Sequence, residues 1–236
     1  MCTVSFVFSK GKTIITSNRD EKTIRPSAIE PKTYLVNNKK LLFPKDQKAG
    51  GTWYAITENA TVLVLLNGAS EKHQVKSSYK KSRGLIVTDI ISSDSPINEW
   101  KVIDLTNIEP FTLVLFQDNL LYQLRWNEIE KETTNLETSN NHIWSSSTLY
   151  PKEVREKRAN WFHNFLVAKP EISESEMFNF HRYTENDNEE NGLVINRNDV
   201  MKTLSITQTV IEKNKVILTH YDLQKNEDFV NTFITI

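Results

Sequence analysis

The 236-residue chain reads as an α+β sandwich, and two observations predict this class. Runs of β-branched and aromatic residues bounded by turn residues gather toward both ends, and the strongest helical patterns lie between them. Strand and helix do not alternate in the rhythm of a doubly wound parallel sheet. The length suits one large domain over residues 1–236 with its own core.

The elements follow in order. Cys2 to Phe8 reads as a strand with Val4, Phe6 and Phe8 on one face. Lys10-Gly11-Lys12 is a turn, and the β-branched run Thr13 to Thr16 is its return strand. Pro26 and Pro31 are expected to break the segment that follows. Thr52 to Ile56 and Thr61 to Leu66 read as two further strands, and residues 76–92 as a helix. Phe111 to Gln117 and Leu120 to Trp126 form a hairpin around Asp118-Asn119. Asn127 to Asn141 is polar and turn-like, and His142 to Ser145 is a short strand. Pro151 to Val167 is amphipathic, with Val154, Arg158, Trp161, Phe162 and Phe165 at helical spacing. Glu171 to Phe180 is a second helix, and Thr184 to Asn191 an acidic, Asn-rich loop. A last hairpin, Lys202 to Val210 with Lys215 to His220, and a strand over Phe229 to Ile236 complete the chain.

Composition excludes several functions. The net charge of −1 gives no electrostatic footprint for nucleic acid or an anionic membrane. One cysteine excludes an intramolecular disulfide framework, and the five histidines lack ligand spacing, so neither metal nor cofactor is expected. The longest apolar run, Val62 to Leu66, is far below the roughly 20 residues of a membrane helix. No signal-peptide pattern opens the chain, and a soluble, cytoplasmic location is the expectation.

The residues able to carry chemistry are few. Cys2 becomes the amino terminus if Met1 is removed, which joins a thiol nucleophile to a free α-amine. An unperturbed α-amine has a pKa of roughly 7.7–8.0 and can serve as base to its own thiol. A hairpin beginning at Cys2 returns Asn18-Arg19-Asp20-Glu21 toward the terminus, where Arg19 could hold a thiolate and Asp20 orient the amine. On spacing alone the same segment reads as a solvated turn with alternating charges. Asn67 ends an apolar strand, where its amide suits an oxyanion or merely an Asn-Gly turn. Gly50-Gly51-Thr52-Trp53 is a flexible pocket edge or a tight corner.

Taken together, Met-Cys, Asn18 to Glu21, Arg25-Pro26, Gly50 to Trp53, Leu66-Asn67 and Ser82-Arg83-Gly84 resemble the NRDE family, that of the transport and Golgi organisation protein 2. Trp144-Ser145-Ser146, the helix after Pro151 and the segment Thr207 to Thr209 continue the match. The family resembles N-terminal nucleophile hydrolases, which implies a four-layer α-β-β-α fold of two mostly antiparallel sheets. Its likeness to cysteine-type acylases implies catalytic roles for Cys2, Arg19, Asp20 and Asn67. It also implies that Asn18, Trp53 and Ser146 line a site for a small-molecule substrate or ligand. The acylases separate their Arg and Asp, whereas Arg19 and Asp20 are adjacent and so face opposite sides of a strand unless it ends or bulges there. A second acylase Asn corresponds to Ser146, and a late Arg to Arg155 or Arg158 at most. The resemblance thus implies a cysteine-type amidohydrolase acting on a small linear amide. Eukaryotic relatives linked to secretory-pathway organisation, lipid homeostasis and haem handling imply a non-catalytic ligand carrier as readily. Specificity is expected in loops such as 68–82 and 184–200.

Overall fold

The computed structural model describes residues 3–235. In chain order the elements are β1 (Thr3–Ser9), β2 (Lys12–Lys22), β3 (Ile29–Val36), β4 (Lys39–Lys45), β5 (Tyr54–Thr57) and β6 (Val62–Asn67), then α1 (Arg83–Ile91) and α2 (Pro96–Val102). There follow β7 (Phe111–Gln117), β8 (Leu120–Trp126), β9 (Lys131–Leu136), β10 (His142–Ser145), α3 (Lys152–Ala168) and α4 (Glu174–Tyr183). The chain closes with β11 (Asn196–Arg197), β12 (Met201–Glu212), β13 (Lys215–Asp222) and β14 (Glu227–Ile234). The class is α+β with two antiparallel sheets, as the distribution of strands predicts.

Two compact units emerge. One, from residues 3–25 and 139–234, holds a sheet in the order β10-β1-β2-β12-β13-β14, with β11 on β12. Alternation along β1, β2 and β12 sends Val7, Ile14 and Val210 to the side where Phe162 of α3 and Met177 and Phe180 of α4 pack. Phe162 is buried at 3% exposure, so truncation to alanine is expected to cost roughly 3–5 kcal/mol. Ser173 caps α4 through a capping box with Glu176, which sets the start of that helix.

The other unit, residues 26–138, is a meander in the order β3-β4-β5-β6-β7-β8-β9 with α1 and α2 packed on it. Val62 to Leu66 is buried on both faces, which explains its unbroken apolar run. Asp118 and Asn119 at the β7–β8 turn have φ of 51° and 60°, the left-handed pair of a two-residue hairpin.

Three expectations are corrected, and a helix that the sequence did not suggest is added. Pro31 does not break the segment after Arg25; it sits in edge strand β3, where the register shifts between Ile29 and Lys32, a place that tolerates a missing N–H. The polar stretch 127–141 contains β9, another edge strand, whose exposed charged and threonine side chains guard the open ladder. The helix expected over 76–92 starts only at Arg83, after Ser82 caps the Leu85 N–H. The short helix α2 begins on Pro96, at a position where proline's missing donor does no harm.

Candidate functional site

Cys2 lies outside the described residues. Its neighbour Thr3 pairs with Asn18 of β2 on one side and Ser145 of β10 on the other. Strand β2 neither ends nor bulges at Arg19-Asp20, so the two side chains leave on opposite faces. The irregularity lies on the partner strand instead, between Thr203 and Ser205 of β12. That extra residue turns the Thr203 hydroxyl to the face of Asp20, to which it donates at 2.6 Å. The Tyr150 hydroxyl donates to the other Asp20 oxygen, also at 2.6 Å. Asp20 is fully buried, and these two bonds are what make its burial tolerable.

Behind Tyr150 lies Arg158 of α3, also fully buried, its guanidinium stacked 3.5 Å from the phenol ring centre. It donates to the Thr3 hydroxyl, to the Gly192 carbonyl and, at 3.2 Å, to the Asn191 carbonyl. Burial first, then the Asp20 carboxylate, pushes the Tyr150 phenol well above its usual range. Asn18 is equally committed. Its amide donates to the carbonyls of His181 and Leu193 at 3.0 and 2.7 Å, and its oxygen faces His181 Nδ1. Since that oxygen can only accept, His181 carries its proton on Nδ1, and Nε2 accepts from Ser5 at 2.8 Å. One polar network thus ties β1 and β2 to α3, α4 and the 191–193 segment.

On the opposite face of the sheet, Arg19 is 1% exposed and pairs in register with Ser205. Ser17, Thr207 and His220 share that face, and Thr207 meets His220 Nδ1 at 2.8 Å. Burial lowers the His220 pKa to about 4, against an upward pull from Asp222, and Arg19 and Lys225 add smaller downward pushes. Burial, and then Arg158, lower that of His181 to about 3. Both shifts depress the charged form in the fold, so the sign is fixed. Above pH 6.5 neither state is protonated and the histidines contribute nothing. Below it the unfolded chain takes protons that the folded chain refuses, and stability falls by up to about 1.4 kcal/mol per pH unit per histidine. The loss continues to about pH 4 for His220 and about pH 3 for His181. The His181 ring proton signals in NMR should stay unmoved from pH 8 to 5, and His181→Gln should flatten the acid limb of stability against pH.

Ser146 follows β10 directly and is 1% exposed, its hydroxyl 2.9 Å from that of Thr148. Tyr150 donates its backbone N–H to the Ser146 carbonyl, which links this turn to the Asp20 network. In the other unit Asn67 is the last residue of β6, half-buried, in register with Phe111. Gly68, at φ 84°, donates to the Pro110 carbonyl, and Thr112 donates to the Gly68 carbonyl. The Gly50 to Trp53 segment is a tight corner. Gly51 lies against Gly84 of α1 so closely that a Cβ would stand 2.2 Å from the Gly84 carbonyl carbon. Trp53 is buried at 2% exposure, and its carbonyl accepts from Leu65.

Tyr150, Thr203 and His181 escaped the sequence reading, since a polar side chain that pairs with a distant strand leaves no local pattern. Arg158 did leave one, as the only charged residue among the apolar positions of its helix. Among the described residues no cluster of three His, Cys, Asp or Glu could hold a metal ion, and no helix is long and apolar enough to cross a membrane.

Comparison with solved structures identifies the fold. A Cys-to-Ala mutant of the conjugated bile acid hydrolase of Clostridium perfringens matches at a TM-score of 0.64 and 10% identity, over 99% of this chain and 96% of that one. A second variant of that enzyme matches at 0.61 and 10% identity, over 99% and 92%. The Caenorhabditis elegans N-acylethanolamine-hydrolyzing acid amidase ortholog matches at 0.59 and 10% identity, over 89% and 92%. The fold is therefore the N-terminal nucleophile hydrolase-like one that the motifs imply. No curated protein matches the sequence. Residues 1–214 match the description "Transport and Golgi organisation 2", and the chain belongs to that family.

Proposed function

We propose that the protein is a cysteine-type amidohydrolase acting on a small linear amide. Met1 is removed, and the Cys2 α-amine takes the thiol proton. The thiolate attacks the carbonyl carbon, Asn67 donates to the resulting oxyanion, and Arg19 balances the sulfur's charge. The C–N bond breaks as the amine leaves with the proton held by the α-ammonium. Water then hydrolyses the thioester to release the acid and restore the thiol. The observation that carries the reading is the β1–β2 register. Thr3 lies opposite Asn18, one residue from Arg19, and its hydroxyl is held by the buried Arg158. Family and fold support it.

A conjugated bile acid and an N-acylethanolamine, the substrate types named for the two hydrolases, are the first compounds to test. Incubation of Met1-processed protein with these and with a β-lactam should leave an acyl adduct on Cys2 in peptide mass spectra, absent from Cys2→Ala. An unmodified Cys2 across the panel would sink the enzymatic reading.

One observation favours a second reading, a non-catalytic ligand carrier on the same fold. Both Asp20 oxygens are bound to Tyr150 and Thr203, so the carboxylate already has a structural occupation. Unchanged cellular function in a Cys2→Ala variant would select this alternative.

A further inference from the structure

The loop between β6 and α1 carries a polar cluster that none of the roles above uses. His73 Nε2 lies 3.2 Å from one Glu109 oxygen, and Arg83 Nη2 lies 2.9 Å from the other. Arg83 Nη1 donates at 3.1 Å to the Pro110 carbonyl, which also accepts from Gly68 N–H at 3.0 Å. The cluster is thereby hooked to the residue following Asn67. The loop is further held by the Lys80 N–H on the Asn107 carbonyl and by Lys76 on Glu128 at 3.1 Å.

The chemistry of the imidazole follows from its partners. A carboxylate accepts only, so Nε2 carries a proton, and in the neutral imidazole Nδ1 keeps its lone pair. Arg83 supplies a charge opposite to that of Glu109. Nδ1 is buried and has no hydrogen-bond partner among the described residues, and the side chain as a whole is 11% exposed. A buried acceptor without a donor is costly, and native proteins seldom leave one unfilled.

We propose that His73 is a specificity-determining residue. Its Nδ1 accepts a hydrogen bond from a hydroxyl on the molecule bound beside Asn67. Glu109 and Arg83 fix the ring for that contact. The inference rests on reading Asn67 as part of the substrate site, and its test does not require turnover.

Binding is measured on the full chain carrying Cys2→Ala. The probes are two matched pairs, hexanamide with 6-hydroxyhexanamide and N-butylhexanamide with N-(4-hydroxybutyl)hexanamide, with hexanoate as the anionic control. In NMR, the His73 ring nitrogens should report a proton on Nε2 alone, and the Nδ1 resonance should move with a hydroxylated member only. That member should bind about threefold to tenfold tighter than its plain partner, the worth of one neutral hydrogen bond. His73→Phe should reduce the ratio to about one, and Glu109→Gln should lower it by freeing the ring. A proton on Nδ1, equal binding within both pairs, preference for hexanoate, or no binding of any probe would each overturn the proposal. Absence of hydrolysis by the unmutated chain would count against the amidohydrolase reading alone.

Discussion

Gly51→Ala is expected to be severely damaging, with a loss above about 4 kcal/mol or outright failure to fold. The added Cβ would sit 2.2 Å from the Gly84 carbonyl carbon, 2.4 Å from its oxygen and 2.5 Å from the Leu85 nitrogen. All three are backbone atoms in the first turn of α1, so no side-chain rotation relieves the clash. The helix start would have to move, yet it is fixed by the Ser82 cap and by the Thr52 N–H on the Gly84 carbonyl. The corner itself is fixed by the Thr52 hydroxyl on the carbonyls of Pro44 and Tyr54. Two neighbours calibrate the claim. A Cβ on Gly84 would meet the Thr52 oxygen and nitrogen at 3.0 and 3.1 Å, which should cost about 1–3 kcal/mol. Gly50 has open space around it, so its alanine should cost only the roughly 1–2 kcal/mol of a left-handed φ of 76°. Urea unfolding followed by circular dichroism should rank the three in that order. Equal effects would refute the close-contact explanation.

Arg158→Met should cost about 3–5 kcal/mol although it preserves most of the side-chain volume. Methionine would leave the Thr3 hydroxyl and the carbonyls of Asn191 and Gly192 without their charged donor inside the protein. Arg158→Lys should rescue little, because one ammonium cannot reproduce a planar fork reaching three acceptors while stacked on Tyr150. The damage should also be localised. Hydrogen exchange should rise for the β1 amides and the 191–193 segment more than for β13, which no part of the guanidinium touches. A uniform rise would mean that Arg158 supports the fold generally instead of holding the strand that follows Cys2.

Much of this was legible in the chain itself. Hairpins with a distinct turn chemistry were readable, as at Asp118-Asn119, because the turn residues and the alternation are local. The family was readable from motifs whose order along the chain is their evidence. Edge strands β3 and β9 were not, since one carries a proline and the other charges in place of an apolar face. The start of α1 was lost for a similar reason, because residues 76–82 share the helix's composition but belong to a loop held by Asn107.

By itself, then, the sequence determined the class, the family and the adjacency of Arg19 and Asp20, which sends those residues to opposite faces of β2 wherever the strand is regular. Only the tertiary structure decided what each face meets. A bulge on β12 turns Thr203 toward Asp20, 183 residues away, and helix α3 brings Arg158 to Thr3. The physical reason is that strand geometry is set by neighbouring residues, whereas the partner of a buried polar group is set by whichever distant backbone packs against it.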